Sequence, residues 1–327
     1  VNVRVKGIRE FFALFLPVAG LLVLTLGLQD NVGTDYPTYL AIAQGSHGIG
    51  WIVAKNEILF VLLVKLSQKF RDPQVIFFLV GIIQVFFLTL ISYEVKKLGY
   101  KLHDFFFLYF SLSLTFFNQF NGIRQYIAVY IIVYAVLRLM LYDDRLVYIS
   151  LVVVAGLFHS SALYLMSFLF LKRLVRRKWP FGFVLLLLGT LLIISLSDLT
   201  PLLYRVLSYT PYRSYIGGSY ASRLGIRGII TKIPKLAVVL FASFFLNRLE
   251  LDNNERILLN LGYVASAVSI LMFGSGLIWR FYQYLDLLMV FPVLIYFSKK
   301  DYERPKVFMA LALVLMLLFK ILIFPEG

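Results

Sequence analysis

The chain has 327 residues, of which 61% are hydrophobic and 17% aromatic, and its net charge is +15. So large an apolar fraction excludes a soluble domain, and the basic residues stand in short clusters between long apolar runs, which indicates membrane topology and not a nucleic-acid partner. The runs lack the alternation of strands, so helices are favoured over a barrel. We therefore predict an all-α polytopic membrane protein with one transmembrane domain, residues 1–327.

The residue types that the chain lacks narrow its chemistry. There is no cysteine, and the three histidines have no ligand spacing. Thiolate chemistry is thereby excluded, and a transition-metal site is disfavoured. We predict no metal and no cofactor. Because the sequence begins at Val1, we also expect a trimmed start and a missing leading helix.

The first segments set the topology. Three basic residues precede the first apolar run, 11–28, and place the N-terminus in the cytoplasm. Outside, Thr34 or Asp35 can cap a short surface helix with a proline in its first turn. The next stretch, 51–70, has an uninterrupted apolar part of only 58–64, which is too short to span. We expect a re-entrant or interfacial helix there, because a crossing would place every later basic cluster outside.

If residues 51–70 do not cross the membrane, the later apolar runs cross in alternate directions and their basic clusters face the cytoplasm. The run 146–171 fits only if a break at His159 divides it into two short helices that dip to the outer side and return. A single tilted span is the alternative. The predicted crossings are 73–93, 105–117, 123–140, 181–196, 229–246, 257–273, 277–297 and 305–324.

The unusual polar residues then share the outer end of the membrane. Arg124 follows Asn121 and Gly122 at the start of a helix, and an arginine near membrane depth usually has a negatively charged partner. Helix N-termini and guanidinium groups both bind phosphate oxygens. We therefore predict that Arg124 meets a phosphate-bearing lipid substrate. The alternative for Arg124, and for Arg280, is snorkelling to the interface.

Three residues are candidates for proton transfer, and the sequence does not choose among them. His159 can remove a proton from a sugar hydroxyl or donate a hydrogen bond to a phosphate. Asp35 and Glu57 can act as a base or bind sugar hydroxyls. The structural alternatives are a histidine that holds the helix break, a helix cap at Asp35, and a pair between Glu57 and a nearby lysine. A serine nucleophile beside His159 is excluded, because no Gly-x-Ser-x-Gly motif is present.

An outer loop, 198–228, carries four arginines among several tyrosines. Arginines are normally depleted from outer loops, so four of them indicate a ligand, with arginine for charge and tyrosine to stack on a pyranose ring. A solvated loop that touches anionic lipid heads is the alternative. These arginines are Arg205, Arg213, Arg223 and Arg227.

Five short motifs together resemble the EpsG-like family of Wzy-type polysaccharide polymerases. Each is weak alone, but their order and spacing cover most of the chain. Two departures stand out: Gln29 occupies the place of a usual arginine, and the family's leading helix is absent. The motifs are Gly33-Thr34-Asp35-Tyr36-x-x-Tyr39, Glu57, Asn121-x-Ile123-Arg124-Gln125-x-Ile127-Ala128, Phe158-His159-x-Ser161-Ala162, and Arg280-x-x-x-Tyr284.

The resemblance implies a GT-C-like helical bundle with short re-entrant or broken helices and an outer-face cavity. It implies a metal-independent glycosyltransferase at the outer face of a bacterial cytoplasmic membrane, which joins undecaprenyl-pyrophosphate-linked oligosaccharide repeats. The implied partners are a lipid-linked donor and acceptor, membrane lipids, a chain-length regulator and a flippase. The implied catalytic residues are Asp35, Glu57, Arg124, His159 and Arg280, and the implied substrate-binding residues are Tyr36, Tyr39, Asn121, Gln125, Ser161, Arg205, Arg213, Arg223, Arg227 and Tyr284.

Three other functions compete with this one. A transporter or flippase of lipid-linked sugars also needs outer arginines, but it needs polar residues along the whole path and usually has internal symmetry. A membrane O-acyltransferase can use His159 and Arg124, but it requires an inner-face site for its acyl donor. A non-catalytic assembly subunit is excluded by no feature of the sequence.

Overall fold

The computed structural model describes residues 2–209, 232–299 and 303–323, and every regular element in these ranges is helical. This confirms the prediction of an all-α polytopic membrane protein. The GT-C-like arrangement of the helices stays a prediction. Five described segments are long and apolar enough to cross a membrane: Val75–Lys97, Ile123–Tyr142, Asn253–Gly274, Leu277–Ser298 and Glu303–Leu322.

The first half of the chain contains three long helices, which begin at Asn2, Val75 and Ile123, and several short ones. The long helices are predominantly apolar, and most of the short ones end near polar or glycine residues. Helices α1 to α9 are α1 (Asn2–Gly27), α2 (Tyr36–Ala43), α3 (Gly50–Val53), α4 (Ile58–Ser67), α5 (Val75–Lys97), α6 (Leu102–Ser111), α7 (Thr115–Asn118), α8 (Ile123–Tyr142) and α9 (Arg145–Phe158).

The second half begins with a 3₁₀ helix, Ser160–Ser167, directly after α9. Two further 3₁₀ segments, Met272–Gly274 and Asp286–Met289, interrupt the later spans. The remaining α-helices are α10 (Phe168–Val175), α11 (Phe181–Ser195), α12 (Thr200–Leu207), α13 (Ile233–Leu246), α14 (Asn253–Leu271), α15 (Leu277–Leu285), α16 (Val290–Ser298) and α17 (Glu303–Ile323).

Two predicted segments can be compared with the short helices. Residues 51–70 form α3 and α4, neither of which is long enough to cross a bilayer, as predicted. The predicted crossing over 105–117 is not one continuous helix, because it breaks between α6 and α7. At this break the Ser113 hydroxyl and the Leu114 amide both donate to the Asp286 carboxylate. These side-chain and amide bonds replace the helical ladder there.

The predicted break at His159 is present. His159 has extended backbone angles (φ −152°, ψ 109°), so α9 ends before it. The chain then folds back, because Arg176 at the end of α10 donates to the Met140 carbonyl at the end of α8, over 3.0 Å. Lys172 of α10 also pairs with Asp143, which precedes α9. The segment 146–171 therefore starts and finishes at the same end of the bundle, with its turn at His159 at the opposite end. The alternative of a single tilted span is wrong.

Basic residues collect at this end of the bundle, which we call the basic end. Arg138 pairs there with both Glu94 and Asp144, so α5 and α8 finish side by side. Lys299 at the end of α16 pairs with Glu255 at the start of α14, over 2.5 Å. The opposite end contains the starts of α5 and α8 and the turn at His159. We call it the site end.

Candidate functional site

Asn121 fastens the first motif to the start of α8 at the site end. Its Oδ1 accepts hydrogen bonds from the backbone N–H of Asp35, over 2.8 Å, and from the Thr34 hydroxyl, over 3.1 Å. Gly33 makes this approach possible with a φ of +78°, since a Cβ there would lie 3.0 Å from Asn121 Oδ1. The motif glycine and asparagine thus position Asp35. The Asp35 side chain makes no capping hydrogen bond to α2, so the cap predicted for it is absent.

A buried ion pair between Glu57 and Arg124 forms the centre of the site. Glu57 has no exposed surface and Arg124 is 6% exposed. The Arg124 Nε donates to the Tyr39 hydroxyl over 3.0 Å, and its guanidinium lies 4.3 Å from the centroid of the Trp51 ring. Arg124 therefore does not snorkel to the interface. It is the partner of Glu57, for which the sequence had offered a nearby lysine.

His159 completes this centre from the helix break. Its Nδ1 lies 2.9 Å from Oε1 of Glu57, and the Ser160 amide donates to the same oxygen over 3.2 Å. His159 is 2% exposed, and its Nε2 has no hydrogen-bond partner among the residues that the structure describes. An imidazole nitrogen buried without a partner is costly, so Nε2 is the atom of this cluster best placed to receive a ligand. We call Glu57, Arg124 and His159 the central cluster.

Hydrogen bonds from α8 and the 3₁₀ helix connect α15 to the central cluster. Gln125 Nε2 donates to the carbonyl oxygen of Arg280 over 3.1 Å, and the hydroxyls of Ser161 and Tyr284 lie 2.8 Å apart. The charge of Arg280 acts on both Asp35 and His159. The structure therefore brings all five predicted catalytic residues to one end of the bundle.

The predicted substrate-binding residues are placed less uniformly. Tyr39 contacts Arg124, but Tyr36 is buried against Phe77 and donates a hydrogen bond to Gln74 over 3.1 Å, which is a packing role. Arg205 is exposed on α12. The other three predicted loop arginines, Arg213, Arg223 and Arg227, lie outside the described residues.

The charges of the site balance, and its three candidate bases differ in pKa. All three lie outside the membrane-spanning segments. Burial raises the pKa of Asp35 against the lowering effect of Arg124 and Arg280. Burial also raises that of Glu57, but the hydrogen bond and charge of His159 and the charge of Arg124 outweigh it, so the pKa of Glu57 is lowered. Burial lowers the pKa of His159. Glu57 is thus a carboxylate beside a neutral imidazole.

Sequence reasoning missed a second buried polar cluster, centred on Asp286. Its Oδ1 accepts from the Tyr282 hydroxyl over 2.6 Å and pairs with Lys235. Its Oδ2 accepts from the Ser113 hydroxyl over 2.8 Å. Lys320 of α17 lies nearby and donates to the carbonyls of Ser111 and Ser113. The available signal was a charged residue well inside each of three apolar runs, since charges at membrane depth are rarely incidental.

One cavity lies away from both clusters. It has a volume of about 290 Å³ and is lined by residues at the basic end, including Trp179, Asn247 and Arg256. It does not correspond to the outer-face cavity that the sequence predicts. In the described ranges, no group of three or more histidine, cysteine, aspartate or glutamate side chains is placed to hold a metal ion.

The family of the chain follows from its match over nearly its whole length. The EpsG family model matches residues 12–326. The chain belongs to the EpsG family. EpsG-like proteins are Wzy-type polysaccharide polymerases, so the resemblance drawn from the five motifs is confirmed. No curated protein and no solved structure matches the chain.

Proposed function

We propose that this EpsG-family protein is a glycosyltransferase that joins undecaprenyl-pyrophosphate-linked oligosaccharide repeats, with the lipid pyrophosphate as leaving group. The site end then faces the outside of a bacterial cytoplasmic membrane, since basic clusters favour the cytoplasmic side. One observation carries the proposal: His159 presents a buried Nε2 with no partner among the described residues, while its Nδ1 lies 2.9 Å from the Glu57 carboxylate. This is the arrangement of an oriented general base.

The reaction needs one proton acceptor and one stabilised leaving group. The acceptor sugar's hydroxyl oxygen forms a bond to the anomeric carbon of the donor, and the bond from that carbon to the pyrophosphate oxygen breaks. Its electron pair leaves with the lipid pyrophosphate, and the hydroxyl proton passes to His159 Nε2. Glu57 stabilises the imidazolium that forms. Pyrophosphate is already a fair leaving group, so positioning and charge neutralisation supply most of the rate without a metal.

The roles of the arginines follow from what they contact. Arg124 is paired with Glu57 and hydrogen-bonded to Tyr39, which favours a positioning role in which it keeps Glu57 ionised. Arg280 is half-buried beside the cluster and is the arginine better placed to meet a substrate phosphate. The same role for Arg124 and for the arginines of 198–228 stays a prediction. Asp35, half-buried and held by Asn121, is suited to binding an acceptor hydroxyl.

The test is polymerisation by the purified protein. Wild-type protein, His159→Ala and the control His103→Ala are each incubated with lipid-linked repeats in the presence of EDTA, and products are resolved as a ladder. His103 is a suitable control because it is exposed and pairs with Asp104, away from the cluster. We expect ladders from wild type and His103→Ala, and a loss of about 100-fold or more in His159→Ala, the usual contribution of a positioned acid or base.

Two results would overturn the proposal. If wild-type protein yields no ladder from lipid-linked repeats, the chain is not the polymerase, and a transport or assembly role takes its place. If His159→Ala forms the ladder at the wild-type rate, the base is not His159. Equal losses in both histidine variants would show that the assay reports folding alone, and a thermal unfolding curve of each variant checks that outcome.

A further inference from the structure

Three lysines surround the single carboxylate of Asp286. Lys235 pairs with it directly, and both side chains are buried. Lys320 is 8% exposed and donates to two carbonyl oxygens near the end of α6. Lys232 precedes α13, and its ammonium lies 4.5 Å from the centroid of the Trp279 ring. The charges of Asp286 and Lys235 act on both Lys232 and Lys320, so the four groups form one cluster. We call it the lysine cluster.

The carboxylate oxygens of Asp286 are fully occupied, so neither Lys232 nor Lys320 can form a further hydrogen bond with them. Oδ1 already accepts from Tyr282 and pairs with Lys235. Oδ2 accepts from the Ser113 hydroxyl, the Leu114 amide and, over 3.3 Å, the Thr115 hydroxyl. Three ammonium groups against one carboxylate leave a surplus of two positive charges. A surplus of this size is costly in a low-dielectric environment, and either a bound anion or the loss of a lysine proton relieves it.

The central cluster, taken together with the neighbouring Asp35 and Arg280, differs in this respect. There the carboxylates of Asp35 and Glu57 stand against the guanidinium groups of Arg124 and Arg280, and their charges cancel. A dianion gains little net attraction from such a set, even though two arginines are present. Helix α15 contributes to both clusters. Its Trp279 makes a cation–π contact with the Lys232 ammonium, and the next residue along the helix is Arg280.

Lys232 is also the accessible member of its cluster. It is half-buried, whereas Lys235 and Lys320 are buried. Its ammonium has neither a hydrogen bond nor an ion pair among the described residues, and its cation–π contact with Trp279 leaves its three N–H donors available. A lysine ammonium is a common ligand of phosphate oxygens. The Lys232 ammonium therefore contacts the residue that directly precedes Arg280 in the chain.

We propose that Lys232, backed by the charge of Lys320 and flanked by Arg280, forms the subsite that binds the pyrophosphate of a lipid-linked saccharide. This inference rests on the proposed function and deepens it, because it separates the pyrophosphate from the proton-transferring centre. The two negative charges of a pyrophosphate diester match the surplus of the lysine cluster. The reacting sugar then lies between this subsite and His159.

Binding measured without turnover tests the subsite. The probe is undecaprenyl pyrophosphate in detergent, titrated by calorimetry into wild type, Lys232→Met, Lys232→Arg and the control Lys65→Met, whose lysine is exposed on α4. We expect Lys232→Met to weaken binding by about 10- to 100-fold, the effect of losing one hydrogen bond to a charged group. Lys232→Arg and Lys65→Met should bind as wild type does. Lys320→Met should also weaken binding, in a variant whose unfolding curve shows that it folds.

The affinity of Lys232→Met and two competition experiments decide whether the subsite exists. Unchanged affinity in Lys232→Met overturns the inference. Equal competition by phosphatidylglycerol vesicles also overturns it, since the lysines would then bind ordinary lipid heads, whereas competition by inorganic pyrophosphate supports it. His159→Ala should bind undecaprenyl pyrophosphate as wild type does, because this probe carries no sugar hydroxyl, while its ladder formation falls by about 100-fold or more. Failure of the polymerase proposal therefore shows in the ladder, and failure of the subsite shows in the titration.

Discussion

Replacing Glu57 by glutamine removes a buried negative charge while it keeps the size of the side chain. Glu57 has no exposed surface and Arg124 is 6% exposed, so water cannot compensate the guanidinium that is left. Removing one partner of a buried ion pair costs about 3–5 kcal/mol. That corresponds to a factor of roughly 100 to several thousand in the folding equilibrium. His159 and the Ser160 amide also lose a charged acceptor, so polymerisation should fall further than stability alone requires.

The measurement combines unfolding in detergent with the ladder assay. Glu57→Gln, Arg124→Gln and the double variant are compared with wild type. Because the single variants each leave one buried group unpaired, the double variant should be destabilised by much less than the sum of the two. Chain lengthening should be lost in all three, measured as rate per folded molecule.

The matched control is Glu94→Gln at the basic end. Glu94 is 2% exposed and pairs with Arg138 over 3.4 Å. Its loss should cost less stability, because Arg138 keeps its pair with Asp144, and the ladder should persist. Wild-type stability in Glu57→Gln would refute the buried pair. Wild-type polymerisation in that variant, or equal loss in Glu94→Gln, would refute the assignment of the site.

Two further predictions concern the first motif and pH. Gly33→Ala should destabilise the protein by about 1–2 kcal/mol, because φ is +78° and the new Cβ would meet Asn121; Gly48→Ala, with open space around it, should not, and equal unfolding midpoints would contradict this. Burial lowers the pKa of His159 from its ordinary 6.5, so the neutral base persists at neutral pH and the initial polymerisation rate should fall only as pH drops through a value below 6.5. A rate that already declines above that pH would count against His159.

The sequence alone determined the class of the protein and most of its candidate site. Long apolar runs in a chain that must satisfy its backbone in lipid permit little besides helices. The break at His159 followed from charge distribution, because an unbroken span would have carried the basic cluster after it across the membrane. The five motifs named the residues that the structure places together at the site end.

Only the tertiary structure decided which of these residues touch. Glu57 is far in sequence from Arg124 and His159, and no local pattern shows that one carboxylate serves both. The break between α6 and α7 and the lysine cluster likewise depend on Asp286, whose partners Ser113 and Lys235 are far from it in sequence. Helical periodicity places a charge on one face of its own helix, but its counter-charge is set by how the helices pack.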